Sequence, residues 1–127
     1  MTRLFVYGTL KRGYSRERFL QGQKYLGVAL TTPGYRLYDN GSYPAMIREP
    51  GADPVEGELW EVDEACVEQL DQVEGVPTLY QREVVELVAP FSQPAETYLY
   101  QQSVLDWLAI GSYWPAKSDN ESLPGPW

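Results

Sequence analysis

One carboxylate stands where the helical pattern of residues 64–74 calls for an apolar side chain. At 100° per residue, Cys66, Val67, Leu70, Val73 and Glu74 fall within one arc of roughly 120°, with Glu64, Glu68 and Gln72 on the far side. Asp71 lies just past the edge of that arc. Glu74 therefore points with the apolar residues, toward an interior or a cavity. It also occupies the last turn, where the negative end of the helix dipole disfavours a carboxylate. Burial and the dipole both raise its pKa, which suits a group that takes up and returns a proton. A frayed last turn would instead let Glu74 swing into solvent, and the pattern leaves both readings open.

A second group that could do chemistry is Tyr7-Gly8-Thr9-Leu10, at the end of an apolar run. A glycine there lets the backbone approach a ligand closely, and successive N–H groups in such a turn can hold a carboxylate. The same glycine could equally be an ordinary strand-to-loop residue. The chain has no histidine, which removes Ser-His and Cys-His catalysis and His-ligated zinc. Its single cysteine, Cys66, lies on the apolar arc and reads as core. Carboxylates, tyrosines, hydroxyls and backbone are left to carry any reaction. No GxGxxG, P-loop, GxSxG or HExxH pattern occurs.

The elements that must position these groups follow from the rest of the chain. With 127 residues it is one domain spanning 1–127. Residues 4–7, 25–32, 35–39, 45–48, 55–62, 80–88 and 96–102 read as strands. Residues 55–62 alternate apolar and charged side chains, as a half-buried strand does. Residues 15–20 read as a short helix, and Asp63 caps the helix 64–74, which Gly75 ends in the left-handed position. From Gly111 the composition turns to Pro, Ser and Gly, reading as irregular tail anchored by Trp107, Tyr113 and Trp114. The expectation is an α+β fold: a small mixed β-barrel or curled sheet of about six strands with one or two short helices beside it.

Charge and composition bound the partners. A net charge of −8 argues against nucleic acid. The early basic residues Arg3, Lys11, Arg12, Arg16 and Arg18 could attract a small anion, but read first as a solvated face. No window is long and apolar enough to span a membrane, and the N-terminus does not read as a signal peptide. A cytoplasmic monomer is expected.

Taken together as an ordered set, the segments resemble the γ-glutamylcyclotransferase-like family. The segment Phe5-Val6-Tyr7-Gly8-Thr9-Leu10-Lys11-Arg12-Gly13 is similar to the family's opening. Leu70-Asp71-Gln72-Val73-Glu74-Gly75-Val76-Pro77-Thr78-Leu79-Tyr80-Gln81-Arg82 resembles its catalytic helix end and following strand, closest to the γ-glutamylamine branch. Tyr43-Pro44-Ala45-Met46-Ile47 and Val55-Glu56-Gly57-Glu58-Leu59-Trp60 resemble its intervening segments. The resemblance implies a small-molecule γ-glutamyl substrate, release of 5-oxoproline, and no metal or organic cofactor. It makes Glu74 the general base and acid, and the N–H groups of Gly8, Thr9 and Leu10, next to Tyr7, the holders of the α-carboxylate. It gives Tyr80 and Tyr100 as pocket-lining residues. Two other readings keep the same site: removal of a γ-glutamyl protecting group in a biosynthetic pathway, and a non-catalytic module that binds a carboxylate.

Overall fold

Alternation along the first strand decides how the layers stack. In the computed structural model, which describes residues 1–88 and 90–115, β1 (Thr2–Val6) buries both of its faces. Leu4 and Val6 enter one core and Phe5 the other. Such a strand must lie mid-sheet with a layer on each side. It pairs antiparallel with β5 (Glu56–Val62), Leu4 opposite Trp60, and parallel with β7 (Ala95–Tyr100), Leu4 opposite Glu96. The edges are completed by β2 (Lys24–Leu30) and β6 (Tyr80–Val85), giving the order β2-β5-β1-β7-β6. A second sheet, β4-β3-β8, is built from β3 (Tyr35–Asp39), β4 (Pro44–Arg48) and β8 (Leu108–Gly111).

Leu37 and Met46 of the small sheet meet Phe5, Leu59 and Leu99 of the large one. On the other face of the large sheet lies α1 (Glu64–Val73), whose Cys66, Val67 and Leu70 pack on Leu4, Val6, Trp60 and Tyr98. Glu64, Glu68 and Gln72 face solvent, as the helical period requires. A 3-10 helix (Glu17–Leu20) replaces the longer helix expected at residues 15–20, with Leu20 buried.

The α+β class holds, and three details differ from expectation. There are eight strands among the described residues, because Leu108–Gly111 pairs with β3. That strand is only four residues long, and Leu108 and Ala109 are exposed, so it carries no burial alternation to read. Nor is there a closed barrel. The large sheet curls until its edges touch at one corner, through the bridge Thr31–Leu87 and the bonds from Thr32 N–H to Glu86 O and Val88 N–H to Leu30 O, both 2.9 Å. Finally, β5 is buried on both faces, not one: Leu59 enters the sheet–sheet core, while Trp60 and Val62 enter the core beneath α1. The irregular tail expected from Gly111 is seen only as far as residue 115, and its remainder lies outside the described residues.

Leu70 is the fully buried anchor that seats α1 on the sheet. Leu70→Ala should cost about 2–5 kcal/mol by leaving a cavity, whereas Glu68→Ala on the solvent face should change stability by less than about 0.5 kcal/mol. Urea denaturation of the two variants checks this. Equal midpoints would show that the helix is not held by this face.

Candidate active site

Helix α1 and strand β1 both stop beside the same cavity, and each stops for a local reason. Asp63 opens the helix by accepting the Cys66 N–H at 2.8 Å. At the other end Gly75 adopts φ +66°, its N–H donates to Gln72 O at 3.2 Å, and Val76 N–H donates to Asp71 O at 3.0 Å. This reversal of direction needs the left-handed region that glycine occupies freely. It leaves Glu74 as the last helical-conformation residue, turned inward and 7% exposed. Of the two sequence readings, the inward one is therefore correct.

Strand β1 gives way to a loop that folds back on itself. Lys11 N–H donates to Gly8 O at 3.0 Å and Arg16 N–H to Thr9 O at 2.8 Å. No hydrogen bond among the described residues uses the N–H groups of Gly8, Thr9 or Leu10. The loop is pinned from behind by a buried polar cluster. Glu58 on β5 accepts from the Arg12 N–H at 3.0 Å and from Trp60 Nε1 at 3.2 Å. Lys11 is 2% exposed, donates to the Trp114 carbonyl, and sits 3.8 Å from the centre of the Tyr113 ring. Burial lowers its pKa to about 8 against the opposing pull of Glu58 and Glu56. The early basic residues are thus not simply a solvated face: Lys11 and Arg12 are structural ties.

Gly8 has a use that the sequence did not disclose. A Cβ at this position would stand 2.5 Å from Pro44 Cγ, so the missing side chain makes room for the start of β4. The tyrosines are committed in the same way. Tyr7 donates to Tyr98 O and accepts from Met46 N–H, Tyr80 donates to Pro44 O at 2.8 Å, and Tyr98 donates to Asp71 Oδ1 at 2.8 Å. Burial raises the pKa of all three phenols, so each remains a donor near neutral pH.

The resulting pocket is open to solvent, and the space between its walls, open solvent included, is about 370 Å³. It brings together Glu74, Tyr7, Gly8, Thr9, Leu10 and Tyr80 from the sequence reading, together with Arg16, Tyr43, Pro44 and Tyr98. Tyr100 is not in its wall. It lies opposite Tyr80 in the β6–β7 register, packs edge-on behind it at 5.2 Å, and leans on Trp107 at 4.8 Å. Arg16 is the functional candidate the sequence left undistinguished, since nothing in a run of basic residues tells which one turns inward. Its guanidinium lies 3.6 Å from Glu74 Oε1, an ion pair just beyond hydrogen-bond range. Burial pushes the Glu74 carboxyl above its ordinary value, and Arg16 opposes the shift without cancelling it. A carboxyl poised this way, close to unpaired backbone donors, can exchange protons with an amine whose own carboxylate the loop would hold.

Residues 4–116 match the family described as gamma-glutamyl cyclotransferase, AIG2-like. The chain belongs to this family. Among curated relatives, it is 43% identical over 100 residues to a Vibrio cholerae protein provisionally named a gamma-glutamylcyclotransferase, covering 79% of this chain and 83% of that one. It is 38% identical over 95 residues to the human gamma-glutamylaminecyclotransferase, covering 68% of this chain and 62% of the human protein. Among solved structures, an AIG2-like protein from Mus musculus superposes with a TM-score of 0.77 at 28% identity, covering 93% and 88% of the two chains. The family and the shared fold are thereby shown, while the substrate of this chain is a question for its own pocket.

A carboxyl whose pKa is higher folded than unfolded contributes stability at low pH and loses it as the pH rises through the folded value. Comparing urea midpoints of wild type and Glu74→Gln across pH isolates this group. The Gln variant should gain on wild type as the pH rises from the ordinary glutamate range toward neutrality. A gap that moves in wild type's favour over that range would mean that the ion pair with Arg16 outweighs burial.

Proposed function

We propose that this protein is a cyclotransferase that cleaves a γ-glutamyl amine, releasing 5-oxoproline and the free amine. The observation that carries the reading is that one inward carboxyl, Glu74, shares a pocket with the loop at residues 8–10, whose N–H groups meet no partner among the described residues. In this mechanism the loop at residues 8–10 holds the substrate's α-carboxylate and so fixes the α-amine beside Glu74. Glu74 takes a proton from the α-ammonium. The freed nitrogen attacks the γ-carbonyl carbon of the same molecule, closing a five-membered ring. The bond to the leaving nitrogen then breaks as Glu74 returns the proton to the departing amine, which also takes up the second proton shed by the ring nitrogen and leaves as an ammonium. Atoms balance with no water consumed and no protein nucleophile.

The residue inventory fits this division of labour. Ring closure within one molecule needs chiefly a folded conformation, and well-oriented intramolecular attack reaches effective molarities of roughly 10⁵ M or more. The pocket's walls include Pro44 and the phenols Tyr7, Tyr80 and Tyr98, whose hydroxyls are already used by the fold. They can therefore shape the cavity without competing for the substrate's polar groups. A raised carboxyl pKa serves both proton transfers, so the absence of histidine is no obstacle. The human relative's name favours an amine as the leaving group.

Incubation with a panel of γ-glutamyl amines, followed by chromatographic detection of 5-oxoproline, is the test. Wild type should release it, and Glu74→Gln should stay folded while turning over about 10²–10⁴-fold more slowly. Equal turnover in the variant would remove Glu74 from the reaction. Release from no member of the panel would leave a carboxylate-binding module in place of an enzyme.

A further inference from the structure

Arg16 and Glu74 are the two side chains of opposite charge in the pocket wall, one cation and one acid among the described lining residues. Their separation of 3.6 Å bears on what the pocket can take. The other basic residues of this loop are occupied elsewhere. Lys11 donates to Trp114 O, Arg12 pairs with Glu58, and Arg18 donates to Ser15 O at 2.6 Å. Arg16 alone of this group reaches the pocket, and its partner there is the carboxyl assigned to proton transfer.

Its backbone is fixed on both sides, since its N–H donates to Thr9 O at 2.8 Å and its carbonyl accepts the Phe19 N–H at 3.0 Å. The guanidinium therefore works from the base of the same loop that presents the N–H groups of residues 8–10. Its side chain is 36% exposed, against 9% for Glu74, so Arg16 has freedom to shift while the carboxyl is held. Two opposite charges side by side match a ligand that carries an ammonium and a carboxylate on one carbon.

We infer that Arg16 and Glu74 form a recognition pair for the zwitterionic α-carbon of the substrate, with Arg16 joining the loop amides of residues 8–10 on the α-carboxylate and Glu74 facing the α-ammonium. The inference rests on the cyclotransferase reading and narrows it. The γ-glutamyl group must be free at both its α-amine and its α-carboxyl, so a glutamyl residue extended through its α-carboxyl into a peptide chain is excluded. It also gives the Arg16–Glu74 ion pair a role. The incoming carboxylate exchanges places with Glu74 at the guanidinium, and a planar guanidinium meets a carboxylate in a two-pronged geometry that an ammonium cannot copy. Once Arg16 has turned to the substrate, Glu74 is left facing the ammonium whose proton it takes. Glutamyl residues of ordinary proteins, joined through the α-carboxyl, would lack the group that Arg16 engages.

Two measurements test this, one of them without turnover. Binding of 5-oxoproline and of its carboxamide counterpart, 5-oxoprolinamide, is measured by NMR titration of the loop amides in wild type, Arg16→Gln and Arg16→Lys. Wild type should prefer the carboxylate by about 10- to 100-fold, Arg16→Gln should lose most of that preference, and Arg16→Lys should keep part of it. The second measurement compares kcat/KM for a γ-glutamyl alkylamide and its α-carboxamide analogue with the same leaving amine. The same pattern should appear there, carried mainly by KM. An undiminished preference for the carboxylate in Arg16→Gln would overturn the inference and assign the α-carboxylate to the loop amides alone, with the cyclotransferase reading intact. Selective, Arg16-dependent binding without any 5-oxoproline release would do the reverse, keeping the recognition pair and removing the reaction.

Discussion

A carboxyl held almost out of water is the constraint around which the rest of this molecule is arranged. Glu74 is buried among phenols and aliphatic side chains, with Arg16 as its charged neighbour. An ionised group in such a place is costly unless paired, so it either finds a cation or keeps its proton. The fold supplies one cation at a distance that moderates the cost without removing it. Three structural decisions hold that balance: the left-handed turn at Gly75, the loop that begins at Tyr7, and the contact between Gly8 and Pro44 that brings the second sheet close.

The scaffolding behind the pocket includes buried charged groups. Lys11 and Glu58 are buried yet satisfied, one by the Trp114 carbonyl and the Tyr113 ring, the other by Arg12 and Trp60. Each ties the loop to a different element: Lys11 to the segment after β8, Glu58 to the interior strand β5. One turn before Glu74, Asp71 accepts from Arg82 twice, at 3.2 Å each, and from Tyr98. Arg82 in turn donates to Glu96 on β7 at 2.7 Å. The helix end is thereby bonded to β6 and β7, just as the loop is bonded to β5. Buried polar networks of this kind are favourable only when every member is satisfied, and satisfied ones fix a single geometry. Such fixing matters here because ring closure depends on orientation more than on reactive groups.

Much of this was legible before any coordinates, and the limits are physical. Helix α1 was readable because its period, its Asp63 cap and its Gly75 terminus agree, which put Glu74 on the apolar arc but left a frayed, solvent-facing last turn equally open. The seven strands read from apolar and β-branched runs were found close to their true bounds. Leu108–Gly111 escaped because an exposed four-residue strand is defined by its partner, not by its own composition. The half-buried reading of residues 55–62 failed because glutamate was taken as a solvent marker, while Glu58 is buried through its bonds to Arg12 and Trp60. Within the site, the carboxyl and the loop were visible as local patterns. Arg16, Tyr43, Pro44 and Tyr98 were not singled out for the pocket, since their placement depends on which distant elements meet, and Tyr100, drawn in by the family resemblance, packs behind Tyr80.

The most direct test of this account is the titration of Glu74 itself, followed by carbon-detected NMR of labelled glutamate carboxyls and assigned by the signal lost in Glu74→Gln. The account predicts a midpoint above the ordinary glutamate value of 4.5, because burial outweighs the pull of Arg16. A midpoint at or below that value would contradict it. Glu74 would then be a paired surface-like carboxylate, with no raised affinity for the proton it is asked to carry.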